Sequence, residues 1–302
     1  MWQSTVIPII LGFVAGVCGG FWSIGAGWVV TPVLLLLGIQ PAAAVAATAA
    51  HIALKSIPAT EDRLATLTWE PRGTARKLAV FVLLPGALGS VVLNLAWQLA
   101  VGTTPTNHAV LDWGYLVILV GVFLAGLRVM TKGMTHESHW VPSGNGEWIQ
   151  HLLVGVGRGF LSLAFGIGGG VLSRSYYSFM RRNFSEDEIA VVSQTGVLVA
   201  SLSTMVFYWQ RGLVDWSLVG ALSLGGLAGQ TLGKLLHRRS PSVNTRDKAI
   251  GVTFLVGLCV LATTHVLRLA GLKLVSTLVV SCGAAAISVG IVVWFFLRGH
   301  RD

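Results

Sequence analysis

Two arginines and a histidine lie inside apolar stretches of the sequence, where basic side chains can bind an anion. Arg158 and Arg174 flank the glycine cluster FGIGGG at 165–170, and His51 lies in the middle of another apolar run. An arginine at the centre of a membrane helix costs about 2.5–3.5 kcal/mol on insertion scales. Backbone carbonyls, water or an anionic ligand can offset that cost. This arrangement indicates an anion-binding site.

The acidic residues are distributed differently. Each of the 12 aspartates and glutamates lies in a predicted loop, at the end of an apolar run or at the C-terminus. Channels and pumps for hard cations need oxygen ligands in their path, and most proton-driven carriers use membrane carboxylates. Paired carboxylates for hydrolysis are missing too. The sequence therefore predicts neither an enzyme nor a metal or cofactor site.

Two glycine clusters supply chemistry that matches an anion. GGFWSIGAG at 19–27 and FGIGGG at 165–170 each interrupt an apolar segment longer than 30 residues, at 5–38 and 148–180. Each segment is too long for one span, so we predict two half-helices around a break. N–H groups at the start of a half-helix bind anions, and glycine lets a ligand approach the backbone. The predicted substrate-binding residues, around and between the two breaks, are Ser23, Gly25, Gly27, Thr48, His51, Arg158, Gly166, Gly168, Gly169, Gly170, Arg174, Gln194 and Thr195.

Each of these residues also has a structural interpretation. An arginine can snorkel to the interface or bond backbone carbonyls, and Arg174 lies near the edge formed by Arg181 and Arg182. His51 can close a hydrogen bond between helices, and Thr48 can bond its own helix. The glycines can serve close helix packing. The recurrence of the glycine clusters at matching positions favours a binding role for them.

Composition determines the elements that must hold these residues. Charged residues make up 11% of the chain, against about 25% in a soluble domain, and hydrophobic residues make up 54%. Neither a soluble globule nor a disordered chain fits these values. Seven further apolar runs can each cross a bilayer core of about 30 Å. They lie at 41–57, 77–100, 111–130, 189–209, 214–236, 248–267 and 274–297. We therefore predict an all-α polytopic membrane protein.

The two broken segments align with each other. At a constant offset of 143 residues, Gly12, Gly16, Ile24, Gly25 and Gly27 fall on Gly155, Gly159, Ile167, Gly168 and Gly170. Three predicted spans follow each broken segment. We predict a first repeat at 1–132, a connecting loop at 133–147, a second repeat at 148–268, and an additional helix with a tail at 269–302.

Loop charges predict the orientation of the two repeats. Most of the 21 lysines and arginines fall in alternate loops, beginning with the loop from Lys55 to Lys77, whereas the intervening loops hold only Arg211, Arg268 and Lys273. The positive-inside rule places the basic loops in the cytoplasm, so each broken segment must enter and leave on one side. The repeats are then inverted, with the N-terminus outside and the C-terminus cytoplasmic. The net charge of +9 follows from this topology, and no nucleic-acid partner is expected.

Three sequence stretches resemble the sulfite exporter TauE/SafE family of membrane permeases. They are GFVAGVCGGFWSIGAGWVVTP at 12–32, AAVAATAAH at 43–51 and GVGRGFLSLAFGIGGG at 155–170. The family carries a glycine-rich break of GxGGG type followed by a proline in each half. Here Ser23 and Ala26 stand where glycine is common, and Ser175 stands where the first half has Pro32. The resemblance implies a permease of the bacterial cytoplasmic membrane for sulfite, sulfonates and other small organosulfur anions.

These observations predict a secondary transporter of a small anion, a sulfur oxyanion or an organosulfonate such as sulfite or sulfoacetate. Without a membrane carboxylate to carry a coupling ion, the simplest mechanism is potential-driven export. An anion channel of the same fold, an importer coupled to H⁺ or Na⁺, an intramembrane enzyme and a structural subunit are the alternatives. The expected partners are the small anion and the lipid bilayer, and both a monomer and a homo-oligomer fit the sequence.

Overall fold

The computed structural model describes residues 2–22, 27–64, 79–100, 145–179 and 186–238, together with the single positions 117, 263, 266 and 271. Within these ranges the chain is helical and contains no strand. Apart from those single positions, the predicted spans at 111–130, 248–267 and 274–297 lie outside the described residues, as do Ser23 and Gly25.

The helices follow the predicted apolar segments. In chain order they are α1 (Trp2–Trp22), α2 (Gly27–Leu36), α3 (Pro41–Leu64), a π-helical turn (Ala79–Leu83) leading into α4 (Leu84–Ala100), α5 (Asn145–Phe165), α6 (Gly170–Phe179), α7 (Glu186–Trp209) and α8 (Trp216–Arg238). Both long apolar segments are thus divided between two helices. The second helix of each, α2 and α6, has ten residues and rises only about 15 Å, half of a bilayer core.

Helix α3 continues beyond the predicted end of its span at residue 57. Pro58 lies inside the helix and does not end it, although proline lacks the N–H that an interior position donates. Lys55 is therefore a buried helical residue, 4% exposed, and the expectation that it begins a basic loop is wrong. Packing against neighbouring helices keeps this stretch helical, since Ala59 and Thr60 are buried as well.

Two of the described helices are long and apolar enough to cross a membrane, over Pro41–Asp62 and Glu188–Trp209. Shorter apolar helices occur at Val6–Phe21, Gly27–Leu36 and Leu84–Trp97. The two long helices, α3 and α7, pack against each other at the centre of the described structure. Whatever binds beside the glycine breaks therefore lies against α3 and α7.

Glycines bring α1 and α8 into backbone contact. A Cβ built on Gly12 would lie 2.8 Å from the carbonyl carbon of Leu222, and one on Gly16 would lie 2.9 Å from the nitrogen of Gln230. On the opposite side of the contact, a Cβ on Gly225 would lie 2.8 Å from the nitrogen of Phe13. Small residues spaced four apart allow such an approach, and larger side chains would separate the helices.

Helices α4 and α5 meet in the same way. A Cβ on Gly155 would lie 2.8 Å from the carbonyl carbon of Gly86, and one on Gly89 would lie 2.8 Å from the nitrogen of Val156. The Ser90 hydroxyl donates a 2.8 Å hydrogen bond to the carbonyl of Gly155. The first helix of each broken segment therefore packs on the second helix that follows the other broken segment.

Candidate functional site

The start of α2, where the first glycine cluster ends, touches the second glycine break. A Cβ on Gly27, the first residue of α2, would lie 2.8 Å from the Cα of Ile167 in the second break. A Cβ on Gly166 would lie 2.8 Å from the Thr31 hydroxyl and 3.2 Å from the Val45 carbonyl oxygen. The start of α2 and the second break thus form one surface, and α3 flanks it.

The second break is built from left-handed glycines. Gly166, Gly168 and Gly169 have φ angles of +69°, +70° and +71°, a region that other residues rarely adopt. The Gly166 N–H still donates to the Ser162 carbonyl at 2.8 Å before the chain turns. The Ile167 N–H donates to the Leu161 carbonyl at 3.3 Å, whereas the N–H groups of Gly168, Gly169 and Gly170 have no backbone acceptor in the described part of the chain. They are available as donors.

Two buried hydroxyl groups adjoin these N–H donors. Thr31 is completely buried beside Gly166, and Ser201 is completely buried beside Gly168, whose added Cβ would lie 2.9 Å from the Ser201 oxygen. Neither hydroxyl has a hydrogen-bond partner among the described residues. Buried polar groups are usually satisfied, and an unsatisfied one costs about 1–3 kcal/mol. Both hydroxyls can therefore donate to a ligand bound at the break.

Arg158 of α5 packs against the same break. It is 1% exposed, and its aliphatic stem packs on Gly169, whose added Cβ would lie 2.7 Å from the arginine Cβ. The guanidinium passes between α4 and α7, where Gly86 and Gly196 leave room for it. A Cβ on Gly196 would lie 3.1 Å from Nε, and one on Gly86 would lie 3.4 Å from Cζ. Two glycines from other helices thus create the cavity for this side chain.

The Arg158 guanidinium is poorly satisfied by the protein. Its Nη1 donates a long hydrogen bond of 3.4 Å to the carbonyl of Val192, and its Nε has no partner within the described chain. No described carboxylate forms a salt bridge with it. A buried unpaired charge is costly, because the loss of hydration is not compensated. The position therefore favours an anionic ligand.

Further polar groups surround Arg158. Tyr177 of α6 is completely buried, and its hydroxyl lies 3.1 Å from Nδ1 of His151, two turns before Arg158 on α5. Glu188, one turn before Val192 on α7, lies at the predicted segment end but is only 3% exposed, a burial that the sequence did not indicate. In the described ranges, no three His, Cys, Asp or Glu side chains are grouped to hold a metal ion.

The other residues predicted at the site lie on α3, α6 and α7. His51 is buried on α3 but is directed at α8, with its Nδ1 3.5 Å from the Ser223 hydroxyl. Thr48 and Gln194 are buried on α3 and α7, the two helices that flank the breaks, and the hydroxyls of Thr48 and Thr195 have no described partner. Arg174 lies in α6, and its side chain is not among those that the structure describes.

Sequence reasoning missed four residues at this position. Gly86 and Gly196 make room for the guanidinium, yet nothing distinguishes them among 37 glycines. Thr31 and Ser201 are brought to the break by the packing of α2 and α7, and the sequence gives no sign of that packing. Only the position of Thr31 just after the first glycine cluster was a signal that could have suggested a role.

Comparison with known proteins identifies the family of this chain. The model of the family described as sulfite exporter TauE/SafE matches residues 7–263. A probable membrane transporter protein of Xylella fastidiosa strain Temecula1 is 26% identical over 261 residues, which cover 83% of this chain and 92% of the relative. Its counterpart in strain 9a5c is 27% identical over 260 residues, with the same coverage. No solved structure matches significantly. With a family match over most of its length, two broken helical segments and apolar spans, the chain belongs to the sulfite exporter TauE/SafE family and is a multi-pass membrane transporter.

Proposed function

We propose that this transporter carries a small sulfur oxyanion or organosulfonate, such as sulfite or sulfoacetate, through the site at the second glycine break. The observation that carries the proposal is the burial of Arg158 without a carboxylate partner among the described residues. A transported anion would supply the missing negative charge. The hydroxyls of Thr31 and Ser201 and the N–H groups from Gly168 to Gly170 would share its oxygens.

The chemistry of these groups favours anions that present several oxygens together. A guanidinium offers five N–H donors in a fixed fork, and its hydrogen bonds to anions are stronger than neutral ones. Sulfite and the sulfonate group each present three oxygens to such donors. The ammonium group of taurine would need an acceptor, whereas the groups described at the break are donors. Sulfite and sulfoacetate should therefore bind more tightly than taurine.

Two sets of glycine contacts support an inverted-repeat architecture. An offset of 143 residues relates α1 to α5, and an offset of 136 relates α4 to α8. Under these offsets the contact between Gly225 and Phe13 corresponds to the contact between Gly89 and Val156. The contact between Leu222 and Gly12 likewise corresponds to the contact between Gly86 and Gly155. In each of the four contacts an added Cβ on a glycine would lie 2.8 Å from a backbone atom of the opposing helix. Such correspondence is expected for repeats related by a two-fold axis in the membrane plane, as in many secondary transporters. Together with the loop charges, it supports an external N-terminus and a cytoplasmic C-terminus in a bacterial cytoplasmic membrane.

In the simplest mechanism, the charge of the transported anion determines the direction of transport. One elementary charge moving through 100 mV is worth about 2.3 kcal/mol, which corresponds to a gradient of roughly 50-fold. With the cell interior negative, this free energy expels a monovalent anion, and a dianion experiences it twice. An uncoupled carrier therefore exports. A proton-coupled importer is the second candidate, favoured by the buried Glu188 and His151 near Arg158.

A thermal-shift screen of the purified protein tests the proposal. Sulfite, thiosulfate, sulfoacetate, sulfolactate and taurine are compared, and a ligand at 100 times its Kd should stabilise the protein by about 2.7 kcal/mol. Arg158→Met should reduce the shift, because it loses the binding site at the second break. Arg211→Met is the matched control, because Arg211 lies over the Phe207 ring in the turn after α7, away from the break. Absence of a shift with every anion, or an equal shift in Arg158→Met, would contradict the proposal. If the anions do bind, saturable uptake into vesicles would distinguish a carrier from a channel.

A further inference from the structure

A second line of polar groups runs between α3 and α8. We call it the α3–α8 lane and define it by His51, Lys55 and Asp62 on α3 and by Ser223, Gln230 and Lys234 on α8. The spacings i, i+4, i+11 and i, i+7, i+11 place each set on one face of its helix. None of these six residues contributes to the group of donors around Arg158.

Two contacts fix how the faces of the lane align. His51 Nδ1 lies 3.5 Å from the Ser223 hydroxyl at one end, and Lys234 Nζ forms an ion pair with Asp62 at the other. The helices are therefore parallel along the lane, and Lys55 and Gln230 must lie between these two contacts. Asp62 is 56% exposed, so that end reaches the surface, whereas His51 is completely buried. The lane leads from the surface into the interior.

The middle of the lane holds an uncompensated charge. Lys55 is 4% exposed, and its Nζ has no hydrogen-bond partner in the described part of the chain. Gln230 is 6% exposed, and its Oε1 is likewise without a described partner. Lys55 lies one helical turn after His51 on α3, and α1 packs along α8. An ammonium group has three donors and no acceptor, so this enclosure lacks a negative charge.

We propose that Lys55, with His51 and Gln230, forms a second anion-binding site, through which the transported anion passes between the second break and the surface. The Lys55 ammonium would bind the charge, and the side-chain NH2 of Gln230 and the His51 ring would donate to its oxygens, while the unsatisfied Gln230 Oε1 would accept from the ammonium. The identity of the ligand rests on the proposed function. Two separate cationic sites also divide the path into two steps, so that neither site has to hold the anion tightly.

The Asp62–Lys234 ion pair closes the end of the lane that reaches the protein surface. An exposed ion pair contributes little to stability, so it opens readily. An anion arriving at the surface competes with Asp62 for Lys234, and that competition admits the anion to Lys55. Asp62→Asn should therefore raise the rate of anion entry several-fold without changing affinity at Lys55.

Equilibrium binding of radiolabelled sulfite to the purified full-length protein tests the second site. The wild type should bind two sulfites per chain, Lys55→Met and Arg158→Met one each, and the double variant none. Lys55→Arg should restore two, and Arg211→Met should bind two. Lys55→Gln keeps a polar side chain and serves if Lys55→Met does not fold. The melting temperature of Lys55→Met without ligand should not fall, because removal of an unpaired buried charge does not cost stability.

The outcomes separate the two proposals. Unchanged stoichiometry and affinity in both Lys55→Met and Lys55→Gln would overturn the second site, and sulfite transport by the same preparations would leave the proposed function standing. A lowered melting temperature with two sulfites still bound would assign Lys55 a purely structural role. Binding that depends on Lys55 in a protein that transports no anion would instead contradict the proposed function. No binding and no transport in the wild type would contradict both.

Discussion

An added methyl group at Gly196 tests whether the Arg158 guanidinium occupies the cavity between α4 and α7. A Cβ on Gly196 would lie 3.1 Å from Nε and still closer to Nη1, so the guanidinium has to move. Overpacking of this kind typically costs about 1–3 kcal/mol. Gly220 of α8 provides the control, because an added Cβ there has no neighbour within 4 Å. Both substitutions gain the same helix propensity of about 0.5–1 kcal/mol, so that term cancels between them.

The expected difference is measurable. Gly196→Ala should be about 1–3 kcal/mol less stable than Gly220→Ala, and 1 kcal/mol shifts the melting temperature of a chain of 150–250 residues by about 2–4 °C. A displaced guanidinium should also lose its charge-assisted hydrogen bonds to the ligand, worth about 1.5–3 kcal/mol or roughly 10- to 150-fold in Kd. Gly220→Ala should bind as the wild type does.

The assays are thermal denaturation in detergent and equilibrium sulfite binding. In an Arg158→Ala background the stability penalty of Gly196→Ala should disappear, which a double-mutant cycle shows as coupling between the two residues. If Gly196→Ala matches Gly220→Ala in both melting temperature and sulfite affinity, the placement of Arg158 beside Gly196 is wrong.

Three further predictions concern the break, the helix packing and the orientation. Gly168→Val should abolish sulfite binding at the second break while Gly212→Val retains it, because both positions have left-handed backbone but of the two only Gly168 is crowded, by Ser201; equal numbers of sulfites bound per chain would refute this. Gly16→Leu should lower the melting temperature by separating α1 from α8, and an unchanged value would contradict that packing. Cysteines replacing Arg63 and Arg239 should react only with reagents applied from the cytoplasmic side, and labelling of either in intact cells from outside would contradict the inverted topology.

The helices of this chain were predictable from the sequence because their causes are local. Apolar runs long enough for a bilayer predicted α3 and α7, and glycine clusters within longer runs predicted the divisions between α1 and α2 and between α5 and α6. The end of α3 was not predictable, because Pro58 and the charges after it are typical of a loop. Packing against other helices overrides that local signal.

The surroundings of the cations were harder to predict because they depend on contacts between distant segments. The sequence singled out Arg158 as a charge in an apolar segment, but Gly86 and Gly196 belong to two other helices. Lys55 is part of a charge-rich stretch in the sequence, and its burial on α3 depends on helix packing that the sequence does not show. His51 was predicted at the site, but its orientation toward Ser223 depends on the rotation of α3.

Anion flux through reconstituted vesicles under an imposed potassium-diffusion potential tests whether this transporter moves a small sulfur anion by way of Arg158. The wild type and Arg211→Met should give saturable flux of radiolabelled sulfite toward the positive side, at a rate that rises with the potential. Arg158→Met should give none above empty vesicles. Full flux in Arg158→Met, or no sulfite or sulfonate flux in the wild type, would contradict the claim; flux that ignores the potential and follows a pH gradient would replace export with proton-coupled import.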